Sequence, residues 1–318
     1  MLVSPLVGGQ AEQSAKVRKV GVLSSGRAPA PGASPDPYLS ALAARLQELG
    51  YSERTNLRMH VRRAAGDLDR LLALAAQLVA LEVDVIVAAG NPATDAARKA
   101  TRTIPIVMLS ADPVAAGFVR SLAHPDGNLT GLSTDAGLAM WGKRLELLKQ
   151  AAPGITRVAV LSRSGGQQGA WVAEIERAAG RLGVVLIHAG AQRSGDFRDA
   201  FDAMKIEQPD ALIASDTPLN NHYRKLIIDF TGSQRLPDVH AYREAAEDGA
   251  LMSYGIDIVD LYHRAASYVD RLLKGAPPAA LPIEQPVKFD LVVNLKTART
   301  LGLTLPPSIL LSADRVIE

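Results

Sequence analysis

The chain has 318 residues, 47% hydrophobic and 21% charged, and its 35 Lys+Arg against 33 Asp+Glu leave a formal net charge of +2. That length suits about two domains, the composition excludes an intrinsically disordered chain, and the even charge argues against binding a phosphate backbone. Cysteine is absent, which removes thiol nucleophiles, thiolate metal sites, disulfides and a lipid held through an N-terminal cysteine.

In chain order, residues 1–11 are apolar and small, and Gly9-Gln10-Ala11 fits the small-x-small pattern before a signal-peptidase cut, though without a basic start. Residues 1–16 are expected to be a secretion-signal remnant and tail outside the fold. From about residue 17 a repeated unit begins: a short Val/Ile/Leu-rich run, a polar turn, then apolar residues at helical spacing. The runs are 20–23 before Ser24-Ser25-Gly26, 83–89 before Gly90-Asn91-Pro92, and 104–109 before Ser110-Ala111-Asp112-Pro113. Later come 158–161 before Ser162, 184–187 before His188, and 211–214 before Ser215-Asp216-Thr217-Pro218. Between them, Leu39, Leu42, Leu46 and Leu49 predict a helix stopped by Gly50, and Leu68, Leu71, Leu72, Ala75, Leu78 and Val79 predict a second. Trp141, Leu145 and Leu148 mark a third, and Ile258, Leu261, Tyr262, Ala265, Tyr268, Val269 and Leu272 a fourth. The series reads as βα units of a parallel sheet covered on both faces. It occurs twice, with a seam near 128–133, so two α/β lobes are expected. The longest apolar stretch, 71–81, includes Gln77 and falls short of the roughly 18 residues that span a bilayer.

Several chemistries find no support. No Gly-x-Gly-x-x-Gly follows a strand, and the nearest phosphate-loop match, Gly137 to Gly142-Lys143-Arg144, ends in Arg where Ser or Thr would hold magnesium. It lies in a helical stripe and reads as a buried helix. The six histidines are scattered without a His-Glu-x-x-His pair, and there is no Gly-x-Ser-x-Gly elbow, so neither catalytic residues, a metal nor a cofactor is expected. Arg58, His60 and Arg62 alternate as a solvated strand face would.

The polar loops at strand ends remain. Ser24 and Ser25, Asn91 and Thr94, Ser110 and Asp112, Ser164 to Gln168, and Asp216 to Asn220 sit where a following helix offers free N–H groups. Each alone is an ordinary helix cap. Together, converging from two lobes, they point to a small polar or zwitterionic ligand, with Asp112 and Asp216 able to meet an ammonium group and Tyr242 and Tyr254 able to wall an apolar portion.

Gly249-Ala-Leu-Met-Ser-Tyr-Gly255, Arg271-Leu-Leu-Lys-Gly-Ala-Pro-Pro278, Leu281-Pro-Ile-Glu-Gln-Pro-Val-Lys-Phe289 and the stretch from Val293-Asn294 to Pro306-Pro307 closely resemble the substrate-binding proteins of ABC-type importers, in the tryptophan/tyrosine-type group. Leu46-Gln-Glu-Leu-Gly-Tyr51, Val87-Ala-Ala-Gly-Asn-Pro-Ala-Thr94, Ile104-Pro-Ile-Val107, Asp112-Pro113 and Gly127-Asn-Leu-Thr-Gly131 agree. The resemblance covers about residues 17–318. It implies a periplasmic-binding-protein fold of type I: two Rossmann-like lobes joined by a three-crossover hinge, the first lobe from 17–130 plus 247–281 and the second from 131–246 plus 282–318. It implies ligand contacts from Ser24, Ser25, Asn91, Thr94, Asp112, Gln167, Asp216, Tyr242 and Tyr254. It also implies a periplasmic monomer that captures an amino acid or aromatic amino-acid-like solute and serves an ABC permease in the inner membrane. Residues 27–37 and Ser164-Gly165-Gly166-Gln167-Gln168 depart from the family's loops.

Two other functions use this fold. A transcriptional regulator needs roughly 50 residues of helix-turn-helix ahead of the first strand, where about 17 stand, and no nucleic-acid partner is expected. A racemase or lyase-type enzyme needs a nucleophile and base pair that the sequence does not offer.

Overall fold

The computed structural model describes residues 17–26, 35–135, 137–163 and 170–318. The readings of residues 1–16, of most of 27–37 and of Gln167 with its neighbours lie outside the described residues. In chain order the first lobe contains β1 (Arg18–Ser24), α1 (Pro37–Glu48), β2 (Leu57–Arg63), α2 (Leu71–Ala80), β3 (Val85–Ala89), α3 (Asn91–Ala100), β4 (Ile106–Ser110) and β5 (Leu129–Ser133). Its sheet runs β2-β1-β3-β4-β5, every pair parallel. All of β4 and all but the last residue of β3 are buried, because helices cover both faces of a parallel sheet. Strand β2 lies at the edge, and this leaves Arg58 exposed and His60 and Arg62 half-buried.

The second lobe follows with α4 (Ala139–Ala151), β6 (Arg157–Ser162), α5 (Ala170–Leu182), β7 (Val185–Gly190), α6 (Asp196–Glu207), β8 (Ala211–Ala214), α7 (Pro218–His222), α8 (Arg224–Gln234), β9 (Asp238–His240), α9 (Arg243–Glu247) and β10 (Met252–Ile256). The chain returns to the first lobe as α10 (Ile258–Leu273). It ends in the second with β11 (Phe289–Asn294), α11 (Leu295–Leu301), α12 (Pro307–Ser312) and β12 (Arg315–Ile317). The second sheet runs β12-β11-β10-β9-β8-β6-β7, parallel except where β11 runs against β10. Strands β1, β3, β4, β6, β7 and β8 fall on the six apolar runs of the sequence, and the architecture is the expected one of two α/β lobes.

One boundary moves. The first lobe was expected to resume at 247, but β10 pairs with β9 and β11, so it belongs to the second sheet. The return comes at α10, which Asp257 caps by accepting a bond from the Asp260 N–H at 3.0 Å. Leu261, Tyr262, Ala265, Tyr268, Val269 and Leu272 then form a buried stripe against α1 and the first sheet.

Three segments thus cross between the lobes, beyond β5, at Asp257 and at 281–288. They are bonded side by side. Thr130 donates its hydroxyl to the Leu281 carbonyl at 2.6 Å, the Ser133 N–H donates to Glu284 at 2.8 Å, and the Asp257 N–H donates to Lys288 at 3.1 Å. Glycine is required beside two crossings. A Cβ at Gly131, whose φ is +137°, would stand 2.2 Å from the Met108 carbonyl oxygen, and one at Gly255 would stand 1.9 Å from that of Ala241.

Candidate functional site

The C-terminal ends of the two sheets face each other. Asp36 accepts from the N–H groups of Tyr38 and Leu39 at 3.0 and 3.2 Å, and Pro37 opens α1, so Tyr38 is presented at the first turn of the helix beyond β1. Its hydroxyl donates to Oε1 of Glu244 on α9, a contact from one lobe to the other. Its ring stacks on Tyr262 with centroids 5.4 Å apart. Burial first, then the Glu244 charge, pushes the Tyr38 phenol far above its ordinary pKa, so it stays a donor. A second approach lies at Gly66, after β2, where a Cβ would be 3.7 Å from the His222 imidazole of α7. The lobes are therefore closed on each other.

The first-lobe residues expected at the ligand are placed at the strand ends, but much of their bonding capacity is directed into the protein. Asn91 clamps the loop beyond β4, donating to the Ala111 carbonyl at 2.9 Å and accepting its N–H at 2.8 Å. Thr94 and Ser110, both wholly buried, share a 2.7 Å hydroxyl bond. Asp112, exposed and at φ +37°, accepts from the Ala115 N–H at 3.0 Å. Ser24 accepts from the Gly26 N–H, and the Ser25 carbonyl from Gly66 at 2.8 Å, which ties the loops beyond β1 and β2 together. Helix α3 begins at Gly90 without a side-chain cap.

The second lobe supplies the charged floor. Tyr242, beyond β9, donates to the Asp216 carbonyl, beyond β8, at 2.9 Å. Burial raises the Tyr242 phenol and the nearby Asp216 carboxylate raises it further. Under them lies Arg144, only 1% exposed. Its Nε donates to the Tyr254 carbonyl of β10 at 2.8 Å, and its guanidinium stands 5.5 Å over the Trp141 ring. Its Nη1 is buried and has no hydrogen-bond partner among the described residues. Burial draws this guanidinium below its ordinary pKa, against the pull of Asp216, Tyr242 and Tyr254. Tyr254 is half-buried with its ring 6.4 Å from Phe289, so it forms a wall between cleft and core.

Tyr38, Glu244 and Arg144 were not among the expected site residues. Arg144 carried a signal: it falls three residues after Trp141 and four before Leu148, a charge on the apolar face of its own helix. The Gly142-Lys143-Arg144 stretch is indeed helical, and Gly142 lets α4 approach α5, since a Cβ there would stand 3.3 Å from that of Ala178. Beside Asp216, Asn220 donates to the Leu161 carbonyl and to Ser215 Oγ, each at 3.0 Å, which fixes the loop beyond β8. Among the described residues no cluster of metal-ligating side chains occurs, and no helix is long and apolar enough to cross a membrane.

Two α/β lobes, joined by three bonded crossings and closed over a cleft of tyrosines and opposed charges, define a two-lobed binding protein. The chain belongs to the family of ABC transporter substrate binding proteins, whose family model matches residues 32–317. It is 26% identical over 279 residues to a tyrosine-binding protein of Clostridioides difficile, covering 85% of this chain and 76% of that protein. It is similar to a crystal structure of a conserved domain protein from Vibrio cholerae, with a TM-score of 0.83 and 29% identity, covering 95% of this chain and all of the other. It is also similar to an ABC domain from Streptococcus pneumoniae in complex with L-Trp, with a TM-score of 0.84 and 26% identity over the same shares.

Proposed function

We propose that this protein is the solute receptor of an ABC importer for an aromatic α-amino acid, tyrosine or tryptophan, which it encloses between its lobes. The observation that carries the reading is the cleft itself: Tyr38, backed by the buried Tyr262, from one lobe and Tyr242 and Tyr254 from the other, set among the charges of Glu244, Asp216 and Arg144. Aromatic rings suit the ligand's side chain, and opposed charges suit its zwitterionic end. Asp216 meets the ammonium group. The relatives named for tyrosine and solved with L-Trp support the same ligand class.

On this reading the protein performs no chemistry. Ligand closes the lobes, the closed form is what the permease reads, and the cycle takes place in the periplasm with the receptor as a monomer. A thermal-shift screen of the twenty amino acids, nucleosides and aromatic acids tests it. L-Tyrosine or L-tryptophan should raise the melting temperature by mass action, with nucleosides silent. A response to nucleosides alone would replace the ligand class.

A further inference from the structure

Arg144 is the feature that neither the packing nor the fold explains. It is 1% exposed in the second lobe, on the face of α4 that otherwise carries Trp141, Leu145 and Leu148. A guanidinium has five donors in a planar fork, and a buried one is stable only when its donors are met. Here Nε is met by a backbone carbonyl, which carries no formal charge, and Nη1 is met by nothing among the described residues. Salt bridges within the protein hold other arginines, such as Arg63 with Asp36 and Arg243 with Asp257 and Asp290, but among the described residues none involves Arg144. The guanidinium lies next to Tyr242, Tyr254 and Asp216, at the ends of β8, β9 and β10.

We infer that Arg144 is the anchor for the ligand's α-carboxylate, its buried Nη1 donor being without a partner among the described residues, so that a carboxylate entering the cleft completes the pair. This rests on the amino-acid reading and adds a residue and a role to it. A charge-assisted bond at a dry site discriminates strongly against a ligand that lacks the carboxylate. With Asp216 opposite for the ammonium group, the zwitterion is held in one orientation and the aromatic side chain is directed at the tyrosines.

Calorimetric affinities of wild type, Arg144→Gln and Arg144→Lys for L-tyrosine and for tyramine, which lacks the carboxylate, test the assignment, with thermal melts to show that each variant is folded. Wild type should prefer L-tyrosine to tyramine by about 30-fold or more, Arg144→Gln should bring that preference close to one, and Arg144→Lys should keep part of it. A crystal structure of the wild-type complex with L-tyrosine gives a second readout, with Nη1 within about 3 Å of a carboxylate oxygen. Unchanged preference in both variants, or a carboxylate seated at the start of α3 away from Arg144, would overturn the anchor and leave the function standing. Failure of wild type to bind any aromatic amino acid would overturn the function itself.

Discussion

The Tyr38 hydroxyl donates to the Glu244 carboxylate from one lobe to the other, between residues 206 positions apart in the chain. The other carboxylate oxygen, Oε2, is buried and has no hydrogen-bond partner among the described residues, so Glu244 depends on Tyr38 for its pairing in the closed form. The contact ties closure to a specific bond.

Tyr38→Phe should therefore favour the open form. A bond to a charged group is worth about 1.5–3 kcal/mol, so ligand affinity should fall about 10-fold or more while the ring keeps its stack on Tyr262. Small-angle scattering of the ligand-free variant should give a larger radius of gyration than wild type. An unchanged radius and affinity would show that the bond contributes nothing to closure.

At the crossings, the two close-approach glycines should be intolerant. Gly255→Ala places a methyl 1.9 Å from the Ala241 carbonyl oxygen, so strand β10 or the loop beyond β9 must shift, at a cost of about 2–3 kcal/mol or more. Gly180→Ala, within α5 and with nothing within 4 Å, should be neutral or stabilising by up to about 1 kcal/mol. Denaturant titration of the two variants measures the contrast.

Acid should weaken the second crossing. Burial acts to raise the pKa of Asp257, but the Asp260 N–H, the Lys288 ammonium and Arg243 outweigh it and hold it below the ordinary carboxylate value. The unfolded chain then takes up the proton first, so this stabilisation is complete above about pH 4 and is lost as the pH falls below it. Asp290, raised by burial, shifts the opposite way, and its ionised form costs stability as the pH rises through its folded pKa. The Asp257 share is read from the difference between wild type and Asp257→Asn, which keeps a good cap residue: melting temperatures from pH 7 to pH 2 should fall more steeply in wild type.

A buried water should bridge Asn220 and Asn221. Their side-chain oxygens are buried without partners among the described residues, and both residues line a cavity of about 10 Å³ with Ser215, Arg224, His240 and Tyr242, enough for one water molecule. A crystal structure at high resolution should show ordered density there. An empty cavity would contradict it.

The fold was readable where burial on both faces turned strands into unbroken apolar runs, as in β3, β4 and β8. Strand β9 escaped that pattern because it buries Asp238 and His240, which a run of Val and Ile does not announce. Asp238 there accepts from Thr231, from His240 and from the Leu251 N–H, a network that only the folded chain assembles. At the site, the strand-end loops were found by their Ser, Asn and Asp content. The same residue types cap turns and clamp loops, however, and in Asn91, Thr94 and Asp112 that local bonding occupies side-chain atoms. The Tyr38 and Glu244 pair was hidden by sequence distance, and Arg144 by sitting in an apolar stripe that looked complete without it.

Capture of an aromatic amino acid between the lobes is tested most directly by titration calorimetry of the wild-type protein with L-tyrosine and L-tryptophan, followed by scattering with and without ligand. Saturable one-to-one binding of at least one of them is expected, together with a fully closed profile in the presence of ligand. No heat from any aromatic amino acid and no change in the scattering profile would contradict it.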